Sequence, residues 1–202
     1  MSRNRSILNR ELILKTALDI LDSLGLEALS MRTIANQLNV KAMSLYNHIK
    51  NKEDLLNGVV EIILSEVQYS ENTADWKTNL RSIACSFHAV LIRHPNAISI
   101  IATHSPVTDN GMKNVENMLW ILKEANIKGV SIFSLIHILL AYVIGHASMS
   151  VVDSQSMNHC DIPSSMIDLA AWPNHADVAQ DYFKRDISRE FIYGLDLLLH
   201  NL

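Results

Sequence analysis

The sequence predicts an all-α chain, and three observations carry that prediction. Apolar residues recur at three- and four-residue intervals along most of its 202 positions. The apolar–polar alternation of a half-buried strand occurs nowhere. The periodic segments begin and end at residues that cap or stop helices: Asn9, Gly25, Ser30, Asn51, and the His94-Pro95 and Ser105-Pro106 pairs. With 49% hydrophobic and 19% charged residues, the composition is globular rather than disordered, and the length allows a sizeable core.

Residues 1–8 form a short basic arm with Arg3 and Arg5. Asn9 caps a first helix with the stripe Ile13, Ala17, Ile20, Leu21 and Leu24. Gly25 ends it as a left-handed C-cap, with Leu26 folding back. Ser30 caps the next helix, where Ile34, Ala35 and Leu38 repeat at helical spacing. Asn39 suits a left-handed corner, Val40 anchors it, and a second short helix buries Leu45 and Ile49. Two short helices, a tight corner and a small residue (Ala35) at their crossing read as a helix-turn-helix.

The outward face of the second helix carries Lys41, Met43, Ser44, Asn47 and His48. Arg32 lies near the start of the first, and Tyr46, Lys50 and Lys52 fringe the unit. Polar tips can meet base edges, while cations and a phenol can meet phosphates, so the set suits a major-groove reader. A helical hairpin with a solvated face is the plainer alternative. Charge distribution favours the first. The whole chain carries −4, but residues 1–52 hold eight Lys and Arg against four Asp and Glu, leaving +4 there and −8 in the remainder.

Asn51 caps a long helix to about Tyr69, with Glu53 and Asp54 matching its dipole and Leu55, Leu56, Val59, Ile62, Ile63 and Val67 inside. The expected division is a helix-turn-helix domain over residues 1–50 and a helical body over 51–202, linked by the helix at 51–69. In the body, Trp76 to Arg93 directs Leu80, Ile83, Ala84, Phe87, Val90 and Leu91 inward, and His94-Pro95 stops it. Ala97 to Thr103 and Asn110 to Ala125 are the next two helices.

Gly129 to Val152 has 24 residues without a charge, long enough to cross a membrane. Ser131, Ser134, His137, His146, Ser148 and Ser150 within it, and the lack of an aromatic belt, argue instead for a helix buried on two sides. One cover is its own subunit and the other a twin. Ala141 and Gly145 would allow close approach there, and the last helix, Asp186 to Leu202, would add Phe191, Gly194, Leu195 and Leu198 to the same dimer interface. Met157 to Asn174 reads as a loop with a short helix, and Ala176 to Lys184 as another turn or two.

No metal, cofactor or catalytic group is expected. His88/His94 and His137/His146 are spaced six and nine apart, off the i, i+4 register of a zinc pair. His159-Cys160-Asp161 has no fourth partner nearby. Cys85 and His88 lack an orienting third group, so a buried cysteine beside a hydrogen-bonded histidine is expected, not a nucleophile. Cys85 and Cys160 follow no secretory signal and should be reduced thiols in a cytoplasmic protein.

Asn9 to Leu64 resembles the DNA-binding domain of the TetR family of bacterial transcriptional regulators, most specifically in the run LYNHIKNKEDLL. The family pattern is met by Leu45, Tyr46, His48, Ile49, Lys52, Leu55 and Leu56. The resemblance implies that Arg32, Ser44, Tyr46, His48 and Lys52 meet mostly phosphates, while Ala42, Met43 and Asn47 face base edges. Ser30 and Lys41 complete the expected DNA-binding set. Asn47 stands where the tetracycline repressors have an aromatic residue, implying a different operator preference. The family also implies a homodimer on a palindromic operator, and release by a small molecule held in the helical body. Its expected walls are Ile83, Phe87, Ile100, Thr103, Val115, Met118, Phe133, Ile136 and His137, with Gln68, Thr103 or His137 orienting the ligand. Ile100 falls where those repressors carry a magnesium-ligating histidine, and Ile83 and Met118 fall on polar drug contacts. A largely apolar effector is therefore expected in place of tetracycline. The rival reading is a small-molecule-binding protein or enzyme whose helical head is only structural.

Overall fold

A computed structural model of the chain describes residues 8–68, 75–103, 108–125, 131–159 and 186–200. Among these residues there is no strand. The head comprises α1 (Arg10–Leu24), α2 (Met31–Leu38) and α3 (Ala42–Leu45), and α4 (Lys52–Ser65) leads out of it. The body adds α5 (Trp76–Arg93), α6 (Ile98–Thr103), α7 (Asp109–Glu124), α8 (Ile132–His159) and α9 (Ile187–His200). Short 3₁₀ turns occupy Leu26–Ala28 and Pro95–Ala97.

Side-chain oxygens start the helices. Asn9, Ser30, Asn51 and Thr108 accept from Leu12, Thr33, Asp54 and Gly111 backbone N–H groups, and Asp75 accepts from Lys77 and Thr78. Each satisfies a donor that the first helical turn cannot. Asn39 takes the left-handed corner at φ 54°, ψ 46°, and the Val40 N–H closes on the Ala35 carbonyl at 2.9 Å. Gly25 has φ +82° but ψ 175°, so it extends the chain into the 3₁₀ turn instead of closing a left-handed cap. Leu24 is 64% exposed and drops out of the α1 stripe.

Three boundaries differ from the expectation. α3 is only four residues long and continues as turns to Ile49, whose N–H reaches the Leu45 carbonyl at 2.9 Å. α4 ends at Ser65, not Tyr69, with Glu66 as its cap, and Tyr69 lies outside the described residues. α8 runs to His159, so Met157 is helical, whereas the expected loop with Pro163 and Pro173 and the turns at Ala176 to Lys184 lie outside them.

One continuous core runs from Ile13, Ile34 and Leu45 in the head, through Leu55, Val59 and Ile63 on α4, to Leu80 and Leu91 in the body. α8 turns Leu135, Ile136, Leu139, Val143 and Ala147 into this core and leaves Ile138, Ala141, Gly145 and Met149 exposed. By length and composition alone, its stretch Ile132–Val151 could cross a membrane; here its inner side is core. α9 divides likewise: Phe191, Leu195 and Leu199 are buried, and Tyr193 and Leu197 are exposed.

That division separates the expected dimer residues by what covers them within one chain. Phe191 and Leu195 are already buried inside their own chain, where Phe191 stacks on His88 with centroids 3.9 Å apart. A side chain at Gly194 would collide with the Tyr142 hydroxyl, which donates to the Phe191 carbonyl at 2.8 Å. Gly194 thus permits close approach of α9 to α8 within one chain. Leu198 is half-buried, and Ala141 and Gly145 remain open on the outer side of α8.

Candidate nucleic-acid interface and the body cavity

The helix-turn-helix stands on a clamp between its two flanking helices. Arg10, at the start of α1, donates Nη2 to Asp54 Oδ1 at 2.7 Å and Nη1 to Asp54 Oδ2 at 3.1 Å. The same Nη1 donates to the His48 carbonyl at 3.0 Å, and Asp54 Oδ2 also accepts the Lys50 N–H at 2.8 Å. The Arg10 guanidinium holds the Asp54 carboxyl below the usual range against the opposing effect of burial, and Asp54 in turn raises Arg10. The turn between the recognition helix and α4 is therefore fixed from both ends. Neither residue was expected in this role, because their 44-residue separation carries no local signal.

On this platform Arg32, Lys41, Met43, Tyr46, Asn47 and Lys52 are exposed, Met43 to 75%. Ala42, Ser44 and His48 are half-buried. The Ser30 hydroxyl is engaged in capping α2, 2.7 Å from the Thr33 hydroxyl and 3.1 Å from its N–H. The exposed set mixes cations, one phenol, one amide and one apolar tip. Those are the groups that neutralise phosphates and reach bases and thymine methyls in a major groove.

A second polar joint ties the head to the body. His94, at the end of α5, lies 2.8 Å through Nδ1 from Asp22 Oδ2 on α1 and 3.3 Å through Nε2 from Glu66 Oε1 at the end of α4. Arg93 Nη1 reaches Glu66 Oε2 at 2.8 Å, and Asn96 donates to the Leu21 and Asp22 carbonyls. The His94-Pro95 stop foretold the end of α5 but not this junction.

The body holds an apolar cavity of about 120 Å³ among α4, α5, α6, α7 and α8. Of the residues expected to line it, Ile83 and Phe87 on α5 and Val115 and Met118 on α7 do so. α4 contributes Val60 and Leu64, and Val67 follows just beyond its end. α8 contributes Leu139, Leu140, Val143 and Ile144, one turn beyond the expected residues. Gly111 and Asn114 complete the α7 wall, and Ile101 comes from α6.

Five expected wall residues, and Gln68 as an orienting group, lie elsewhere. Phe133 and His137 are exposed on α8 and pack edge to face at 4.6 Å. Ile136 and Ile100 are buried in the core outside the cavity wall. Thr103 is exposed, its hydroxyl donating to the Ser99 carbonyl at 2.7 Å. Gln68 is exposed past the end of α4, its backbone N–H held by Ser86 Oγ at 2.8 Å.

Beside the cavity, His88 Nε2 meets His146 Nδ1 at 3.0 Å, between the Phe191 ring and the Ser150 hydroxyl. Burial, with the His146 charge adding to it, pushes His88 down to about 4. Burial raises the Cys85 thiol, which opposes its activation as a nucleophile. No group of three His, Cys, Asp or Glu among the described residues is placed to hold a metal.

Comparison with known proteins accounts for both regions. Residues 13–59 match the family model for bacterial regulatory proteins of the tetR family, and residues 70–202 match the tetracyclin repressor-like C-terminal domain. The class C tetracycline repressor of Escherichia coli is 35% identical over 103 residues, 49% of this chain and 47% of the repressor, so the chain spans about half the length of that relative. The HTH-type transcriptional repressor DrrR1 of Streptomyces coeruleorubidus is 26% identical over 94% of this chain and 75% of its own. Among solved structures, apo ActR from Streptomyces coelicolor superposes with a TM-score of 0.78 at 27% identity, covering 97% of this chain and 95% of ActR. ActR has also been solved with actinorhodin, with a TM-score of 0.78 at 26% identity over 97% of both chains. A helix-turn-helix head, a repressor-like helical body and family models matching both make this chain a member of the TetR family of bacterial transcriptional regulators.

Proposed function

We propose that the protein is a cytoplasmic, homodimeric repressor that binds a palindromic operator and is released by a small, largely apolar effector. One observation carries this reading: α4 begins at the recognition unit, and its second half lines the body cavity. A ligand in the cavity therefore touches the helix that sets the reading heads. The working division is a DNA-binding head over residues 1–50 and a body over 51–202 that holds the effector and the twin. Two recognition helices would enter successive major grooves roughly 34 Å apart. Arg32, Ser44, Tyr46, His48 and Lys52 would hold phosphates, and Ala42, Met43 and Asn47 would face the bases, flanked by Ser30 and Lys41. The twin would cover the outer side of α8 at Ile138, Ala141, Gly145 and Met149, together with Tyr193 and Leu197 of α9. The solved complex of ActR with actinorhodin supports release by a small molecule held in the body, and the apolar lining of the cavity supports an apolar one.

The test is to incubate the full chain with sheared genomic DNA at moderate salt and sequence what is retained. A single enriched palindrome is the expected result. Retention without enrichment would overturn the base-reading assignment, and no retention at low salt would favour a purely ligand-binding protein. Lys52→Ala should lower the salt slope by about 0.9 without altering the enriched sequence. Met43→Ala or Asn47→Ala should change the sequence instead.

A further inference from the structure

Asn114 is the one polar side chain among the described residues of the cavity wall, and it is already committed to α4. Its Nδ2 donates to the Leu64 carbonyl at 3.1 Å, in the last turn of that helix, where intrahelical partners run out. One turn earlier on α7, the Asn110 N–H donates to both Glu61 oxygens at 2.9 and 3.0 Å, and its Nδ2 reaches the Glu61 carbonyl at 3.4 Å. Glu61 and Leu64 share one side of α4, as Asn110 and Asn114 share one side of α7. Together they form a two-rung polar ladder between the helices, and only the Asn114 rung faces the cavity.

Resting on the effector reading above, we propose that the ligand is a neutral, mostly hydrocarbon or aromatic molecule carrying a hydrogen-bonding oxygen. It seats that oxygen on Asn114 and loosens the ladder that ties α4 to α7. The wall offers no ionisable side chain, so an anion or a metal chelate would lose its hydration there without replacement. The Asn114 amide keeps a second N–H and its oxygen for a ligand, since the Leu64 carbonyl occupies one donor. Size supplies the force. At about 120 Å³ the cavity is smaller than the roughly 150 Å³ of an engineered cavity that takes a single benzene ring. A larger ligand seated wholly inside parts the walls, and the α4–α7 seam is where one polar contact serves both wall and tether.

The experiment titrates the full chain with prodan, a neutral naphthyl ketone whose emission responds to polarity and hydrogen bonding. Blue-shifted binding is expected, with about a three- to tenfold loss of affinity in Asn114→Leu. Naphthoate, with a similar ring system and a negative charge, should fail to compete. Hydrogen exchange on the wild type with prodan bound should show faster exchange at the Glu66, Val67 and Asn110 amides. Prodan binding that is indifferent to Asn114→Leu and leaves exchange unchanged overturns this proposal while the effector reading stands. Equal competition by naphthoate overturns the neutral ligand class. Absence of any prodan binding overturns the effector reading and this proposal with it. Should Asn114→Leu fail to fold, the wild-type exchange measurement decides the matter.

Discussion

In the head, short helices are started by Asn9, Ser30 and Asn51, turned by Asn39, and clamped by Arg10 on Asp54 and the His48 carbonyl. In the body, α5 and α8 meet through Leu80, Phe87, Leu139, Val143 and their neighbours, and the polar contacts His88 to His146 and Tyr142 to the Phe191 carbonyl sit within that apolar packing. Directional bonds hold a surface in a set shape, as a groove reader requires. Apolar packing fixes volume more than direction, and so tolerates a cavity with movable walls. The difference suits a rigid reading head coupled to a deformable sensor.

The largest test removes apolar volume on each side. Leu91→Ala in the body and Ile34→Ala in the head both truncate side chains with no exposure, and each should cost about 2–5 kcal/mol in urea unfolding. Next comes acid. His88 titrates at about 4 in the fold against about 6.5 in a free chain, so the unfolded state takes up the proton first as pH falls. Stability should drop by about 2 kcal/mol between pH 7 and pH 5, and His88→Asn should flatten that slope. A slope unchanged in the variant would place the acid sensitivity outside the body's histidine pair.

Asn51→Ala should cost about 1 kcal/mol by uncapping α4. The contrast between head and body breaks if this costs as much as Leu91→Ala. The smallest effect belongs to Arg10→Ala, about 0.5–1 kcal/mol, because both partners of the clamp are partly exposed. The Asp54 carboxyl is held low in the fold, so the clamp's contribution is present above the ordinary carboxylate value. It fades as pH falls through the lowered one, and comparison of the variant with the parent at pH 7 and pH 3 should show it.

The same contrast explains what could be read from the residues alone. Caps, corners and the proline stop are local, and Asn9, Ser30, Asn39, Asn51 and His94-Pro95 each act where the sequence puts them. The cavity depends on helix rotation and on partners far along the chain. Leu139, Leu140, Val143 and Ile144 form as good an apolar stripe as the residues one turn earlier, and periodicity cannot say which stripe faces a void. Asn114 gave no sign of its position, because a polar residue in an amphipathic helix is ordinarily assigned to its wet side. Phe191 and Leu195 show the same limit: an apolar stripe announces burial without naming the cover.

Because the core passes without interruption from α1 through α4 into α5 and α8, head and body should melt as one calorimetric transition. A compound that binds only in the body then raises the melting temperature of the DNA-reading end as well. At a hundred times its dissociation constant the gain is about 2.7 kcal/mol. A plain thermal-shift screen on the free protein can therefore find ligands before any operator is known.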